Sequence, residues 1–237
     1  MTVTALLKIN MVVFKFKTQF LHHLEMLVSR GYRYWFSGKI FTNEAHKVIA
    51  LQTKFATQCS TDATENQRYR RRKKGLANSQ LRAWYDEKNK QLLWILLATD
   101  GIHVYAEQLQ DSQKKKNRIT VTGYELKQMP RKNSDPRWTW MMTADTYDYW
   151  HTEIQQAIRK HHDDRLKQIW YSLRRVGGFH GVREQVFKLQ TYALSEWRRS
   201  RKGDYPYEKI YVGWVGSFKH AEIFTLEELV LNMNKNK

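Results

Sequence analysis

The sequence predicts an α+β fold: a roughly five-stranded, mainly antiparallel sheet with packed helices, followed by a three-helix segment and a short αβ tail at the C-terminus. Three observations carry this reading. Short runs rich in β-branched and aromatic residues, with helical stretches between them, fill positions 1–143. From Asp145 onward the apolar residues recur at helical rather than alternating spacing. Hydrophobic residues make up 41% of the 237 positions, which is enough for a sizeable core and too many for a disordered chain. The change of period divides 1–143, an α+β core, from 144–237, a mainly helical half that can belong to the same domain.

Taken in order, Val12 to Phe16 is a short β-like run. A helix follows over Thr18 to Ser29, where Leu21, Leu24 and Val28 share a face and Gly31 supplies the stop. Tyr32 to Ile40 is aromatic and suits a strand, and Asn43 to about Thr57 suits a second helix with Ala45, Val48, Ile49 and Ala56 on one side. Residues 58–67 are polar and read as a loop. Gln80 to Tyr85 and Gln91 to Thr99 read as two strands joined by the turn DEKNK, the second almost continuously apolar and therefore central. Arg118 to Met129 reads as a strand with a bulge at Gly123, PRKNSDP as a turn, and Arg137 to Thr143 as another strand.

The helical half is built from three apolar stripes. Tyr147, Trp150, Ile154 and Ile158 follow a cap at Asp145; Leu166, Ile169, Trp170 and Leu173 form the second; Val182, Val186, Leu189, Ala193 and Trp197 form the third, after the breaker VGGFHG. Lys209 to Val215 then suits a short strand. Thr225 and Glu228 stand at capping-box spacing before a last small helix.

Charge gives the functional direction. Lys and Arg number 41 against 23 Asp and Glu, a formal net charge of +18, which makes a polyanion the expected partner. The densest cluster is Arg68, Arg70, Arg71, Arg72, Lys73 and Lys74. Paired guanidinium donors grip phosphate, and lysine adds a flexible charge. If helical, Arg68, Arg71 and Arg72 are expected on one side, with Arg70, Lys73 and Lys74 on the flank. Further candidates are Lys114, Lys115, Lys116 and Arg118 in a loop, and Arg198, Arg199, Arg201 and Lys202 at a helix end, where the dipole also favours cations. The pair of helices around VGGFHG invites comparison with a helix-turn-helix, which makes Arg183, Gln185 and Lys188 candidate base readers. The simpler reading is an antiparallel helical pair. Trp94, Trp150, Trp170 and Trp197 belong to apolar patterns, and Trp138 and Trp140 share a strand face suited to packing or base stacking.

Catalytic signatures are scarce. The sequence contains no P-loop, dinucleotide fingerprint, HExxH helix, GxSxG elbow or paired CxxC. Adjacent pairs such as His22-His23 and His161-His162 point about 100° apart on a helix and cannot chelate one ion from one face. One alternative has a physical basis: Asp100 at a strand exit, with Glu125 and Lys127 on one strand face, can hold Mg²⁺ or Mn²⁺ and orient water for phosphodiester hydrolysis.

The primary expectation is a non-catalytic DNA- or RNA-binding accessory protein without a cofactor, DNA slightly favoured, able to join a protein partner in a nucleoprotein complex. A metal-dependent nuclease and an adaptor binding an acidic protein are the alternatives. A lone cysteine, Cys59, excludes an internal disulfide and suits a reducing compartment. Lysines interrupt the apolar opening, and the longest apolar run, Leu92 to Ala98, is too short to span a bilayer, so no membrane association and a cytoplasmic location are expected.

Overall fold

The computed structural model describes residues 11–102, 108–216 and 221–235, so the first ten residues of the apolar opening lie outside the described residues. The chain forms two compact units: Met1–Asn117 with Phe218–Lys237, and Arg118–Ser217. The division falls earlier than the change of period at 143, because the strands from Arg118 to Met142 form a sheet of their own. The α+β class holds in both units.

Unit 1 is built on a five-stranded mixed sheet. Its strands are β1 (Val12–Phe14), β2 (Tyr34–Phe41), β3 (Ser79–Asp86), β4 (Gln91–Ala98) and β5 (Gln110–Asp111), in the order β1-β3-β4-β2-β5. Only β1 and β3 pair in parallel; the other pairs are antiparallel. The apolar strand β4 is central, as expected, flanked by β3 and β2 along its whole length. Gly38 of β2 lies opposite Trp94 of β4, and a Cβ there would stand 2.5 Å from the indole, so only glycine admits the ring.

Alternation along β3 assigns its two faces. Leu81, Ala83 and Tyr85 join a core with Val48, Phe55 and Cys59 of α2 (Lys47–Cys59) and with Leu229 and Met233 of α7 (Leu226–Lys235). Gln80, Arg82 and Trp84 therefore lie on the other face, the one on which Arg82 bonds to His23 of α1 (Lys17–Ser29). α1 buries Phe20, Leu21, Leu24, Leu27 and Val28. The C-terminal segment returns to this unit: Phe224 N–H donates to Val13 O at 2.9 Å, and Lys15 N–H donates to Glu222 O at 2.9 Å. Thr225 and Glu228 form the reciprocal capping bonds that their spacing predicts. Cys59 is free and buried.

The polar stretch expected as a loop ends in a helix, α3 (Glu65–Lys73). Thr64 accepts from Gln67 N–H while the Gln67 side chain accepts from Thr64 N–H, a complete capping box. No residue of α3 is buried, so hydrophobic periodicity gave no sign of it.

Unit 2 carries a three-stranded antiparallel sheet, β6 (Thr120–Val121), β7 (Tyr124–Arg131) and β8 (Ser134–Met142), with α4 (Ala144–Arg159), α5 (Asp163–Arg174) and α6 (His180–Ser200). At Thr122-Gly123 the backbone turns through positive φ, 38° and 82°, so Gly123 makes a tight hairpin turn rather than the expected bulge. Thr143, not Asp145, caps α4. The three predicted apolar stripes are buried at Ile154 and Ile158, at Leu166, Ile169, Trp170 and Leu173, and from Val182 to Trp197. Residues 209–215, expected as a strand, have no regular secondary structure and join no sheet. Ile210 and Val212 point inward, but their backbone is held by side chains of α6: Gln190 bonds both N–H and C=O of Ile210, and Arg183 Nε donates to Val212 O at 2.9 Å. Among the described residues no helix is long and apolar enough to cross a membrane.

Candidate functional site

The helical conformation of residues 65–73 sorts the densest basic cluster by face. Glu65, Arg68, Tyr69 and Arg72 follow the i, i+3, i+4, i+7 spacing of one side of α3 and line a cavity of about 290 Å³ with Leu27, Arg30, Tyr32 and Gln80. Gln67, Arg70, Arg71 and Lys74 repeat that spacing two residues later, on the opposite side. They line a second cavity of about 400 Å³ with Ser60, Asp62, Ala63 and Leu76. Arg71 lines the second cavity while Arg68 and Arg72 line the first, although it stands only about 60° around the helix from Arg68 and about 100° from Arg72.

Arg71 is also the member that holds the helix down. Its Nη2 and Nε donate to Ala77 O at 2.9 and 3.3 Å, and its Nη1 donates to Ser60 Oγ at 3.2 Å. Asn78 adds a bond from its Nδ2 to Arg68 O at 3.0 Å. Arg70, Arg72, Lys73 and Lys74 are exposed, with Lys73 Nζ 4.9 Å from the Tyr69 ring centre. Among the described residues none of the six cations forms an ion pair with a carboxylate.

Next to the first cavity lies a fourth arginine. Arg82 donates from Nε to His23 Nε2 at 3.0 Å, from Nη1 to Leu81 O at 2.8 Å, and from Nη2 to Gln80 Oε1, which are all neutral acceptors. Burial, and then the charge of Arg68, push its pKa down to about 10, so it stays cationic at neutral pH. Burial and the Arg82 charge hold His23 at about 4, which keeps its imidazole neutral and able to accept.

The other predicted residues divide by environment. Lys114, Lys115 and Lys116 are exposed on a turn in unit 1. Arg118 pairs with Glu125 at 3.5 Å in unit 2. At the end of α6, Arg199 pairs with Glu196 at 2.5 Å, and Arg201 bonds Asp163 and Ile158 O at 2.7 Å each, while Arg198 and Lys202 are exposed. Arg183 lies 3.6 Å from the Trp214 ring centre and shares a cavity of about 460 Å³ with His180, Glu184, Phe187, Lys188 and Trp214. Gln185 is no base reader: 9% exposed, it brackets the backbone of Met142, accepting from its N–H at 2.7 Å and donating to its O at 3.1 Å.

No protein family, curated protein or solved structure matches this chain.

The residues of the hydrolytic alternative fall in different sheets. Asp100 follows β4 in unit 1, where it pairs with Arg33 at 2.9 Å and accepts from the Tyr34 hydroxyl at 3.1 Å. Glu125 and Lys127 stand on β7 in unit 2, paired with each other, and Arg118 adds a second cation to Glu125. Each carboxylate thus already has a cation within its own unit. Among the described residues no three His, Cys, Asp or Glu side chains gather as a metal site would require.

Two features escaped sequence reasoning. Arg30 and Arg82 lie outside any basic run, and only the fold brings them to Arg68. Trp214 is 56% exposed, and the other tryptophans are buried or half-buried. Its flanking glycines, Gly213 and Gly216, were the available sign.

Proposed function

We propose that the protein binds nucleic acid, DNA or RNA, chiefly through phosphate contacts made by α3. The observation that carries this is a helix with no buried residue whose five cations, with a sixth at its cap, have no carboxylate partner among the described residues. Like charges three and four residues apart each weaken a helix by about 0.2–0.5 kcal/mol, so the arrangement costs stability that folding does not return. The helix dipole accounts for cations in the last turn only, and Arg68 precedes it. A polyanion offsets the repulsion on both faces at once.

Unit 2 supports a strand with unstacked bases as a second contact. Tyr211, Trp214 and Phe187 are exposed beside Arg183, Lys188 and Lys209, which combines ring faces for stacking with phosphate-binding charge.

Fluorescence anisotropy with matched duplex DNA, single-stranded DNA and RNA tests the reading. Binding at micromolar concentration or tighter in low salt is expected, with log affinity falling linearly in log salt. Replacing Arg70, Arg72, Lys73 and Lys74 by Gln, with Arg71 retained as the anchor, is expected to reduce affinity at least tenfold while the circular-dichroism spectrum stays unchanged. Absence of binding to all three probes at low salt refutes it.

A further inference from the structure

The cavity on the Arg68 side of α3 differs from an exposed basic face. Its lining comes from α1 (Leu27) and its cap (Arg30), the segment before β2 (Tyr32), α3 (Glu65, Arg68, Tyr69, Arg72) and β3 (Gln80). Three arginines face it, and a fourth, Arg82, bonds the Gln80 that lines it. Glu65 is the one carboxylate among the lining residues. Arg68 Nε is buried without a hydrogen-bond partner, a donor removed from water with nothing supplied in return. Concentrating four guanidinium groups around a single carboxylate leaves an excess of positive charge that is unfavourable by itself. A ligand bearing more than one negative charge, with several acceptor oxygens, reverses that.

Size and lining narrow the ligand. At about 30 Å³ for each water, 290 Å³ has the room of about ten waters, more than one phosphate group fills. The remaining wall is Leu27, buried Tyr32 and Tyr69, which is 56% exposed: apolar and aromatic surface of the kind that receives a sugar and a base. We infer that this cavity binds the phosphomonoester of a nucleotide, free or at the end of a strand, with phosphate on Arg30, Arg68 and Arg72 and nucleoside against Tyr32 and Tyr69. A terminal phosphomonoester carries close to two charges at neutral pH, where an internal phosphodiester carries one, so the cavity discriminates strand ends from strand interiors. The inference rests on the phosphate-binding reading of α3 and names its preferred substrate.

Isothermal titration with adenosine 5′-monophosphate and with adenosine, in 150 mM salt, tests the cavity directly. The nucleotide is expected to bind at least tenfold tighter than the nucleoside. Arg68→Gln and, separately, Arg72→Gln are expected to remove that preference, and Lys88→Gln, an exposed turn residue, to leave it intact. Arg68→Gln is also expected to leave the ligand-free protein at least as stable in urea, since it removes repulsion with Arg72 and Arg82. Equal binding of nucleotide and nucleoside, or a preference that survives in both arginine variants, overturns the inference.

Anisotropy with 5′-phosphorylated and 5′-hydroxyl oligonucleotides of one sequence then separates the two readings. A nucleotide preference in calorimetry with no oligonucleotide binding keeps the cavity and refutes nucleic-acid binding. Equal affinity for both oligonucleotides, with no nucleotide preference, refutes the cavity and keeps the phosphate-contact surface.

Discussion

α3 in unit 1 and the end of α6 in unit 2 look alike in the sequence, since both crowd Lys and Arg into one helical turn or two. Their environments are opposite. At the end of α6 the carboxylate of Glu196 is 1% exposed and receives Arg159 and Arg199, while Arg201 reaches Asp163. Burial pushes the Glu196 carboxyl up, but the two arginines outweigh it and hold its pKa below the ordinary value. Among the described residues the cations of α3 have no such partner, and Arg71 bonds a carbonyl and a hydroxyl. A run of cations therefore does not by itself mark a binding surface. What marks it is a cation left without a carboxylate after folding, and by that criterion four positions of α3 and its cap qualify together with Arg68 behind them, whereas Arg199 and Arg201 at the end of α6 do not.

The largest test of this contrast separates anchor from ligand contact inside one helix. Arg71→Ala removes three charge-assisted bonds and leaves Ala77 O without them, so a loss of about 2 kcal/mol in urea unfolding is expected. Arg70→Ala, one residue earlier, is expected to change stability by less than about 0.5 kcal/mol and to weaken nucleic-acid binding. If the two variants exchange these outcomes, the assignment of anchor and contact is inverted.

Much of the fold was legible because it rests on hydrophobic period. The run from Leu92 to Ala98 fixed the central strand, and the stripes at 154–158, 166–173 and 182–197 fixed three helices. The capping box at Thr225 and Glu228 was readable from two letters. The misses share a physical origin, which is polar side chains doing the work of backbone or core. α3 is held by a capping box and Arg71 rather than an apolar face. Residues 209–215 satisfy their backbone through Gln190 and Arg183 rather than a neighbouring strand. The cationic cluster was visible as a run, yet its division into two faces depended on the helix. Arg30 and Arg82 depended on tertiary folding alone.

Acid sharpens the comparison through different groups in the two units. His23 has a folded pKa of about 4 against 6.5 when unperturbed. Between those values the unfolded chain holds more protons at this site, so unit 1 loses stability as pH falls from 6.5 towards 4. The loss is about 2 kcal/mol once partial exposure is allowed for. Glu196, with its pKa depressed, stabilises unit 2 above the unfolded carboxylate range, and that contribution is lost only as pH falls through its lower folded value. Urea midpoints at pH 7.5 and 5.0 check the first point: His23→Gln, which keeps an acceptor for Arg82 without titrating, is expected to show a smaller fall than the unmodified protein. An equal fall in both assigns the acid sensitivity to another group.

The smallest expected effect is the most direct test of the criterion. Arg198 and Arg199 are neighbours on α6, the first exposed and without a carboxylate partner among the described residues, the second paired with Glu196. A cation that meets a phosphate releases condensed counterions and contributes about 0.9 to the slope of log affinity against log salt on duplex DNA, or about 0.7 on a single strand. An arginine already neutralised by a carboxylate must give up that pair first, so its net contribution is near zero. Arg70→Gln on α3 is therefore expected to lower the slope by nearly one unit, and Arg199→Gln to leave it within about 0.2 of the unmodified value. Arg198→Gln reports whether bound nucleic acid extends to the end of α6, lowering the slope as Arg70→Gln does if it reaches that far. A full unit lost in Arg199→Gln would mean that the Glu196 pair opens on binding, and partner carboxylates would then cease to distinguish structural cations from binding ones in this protein.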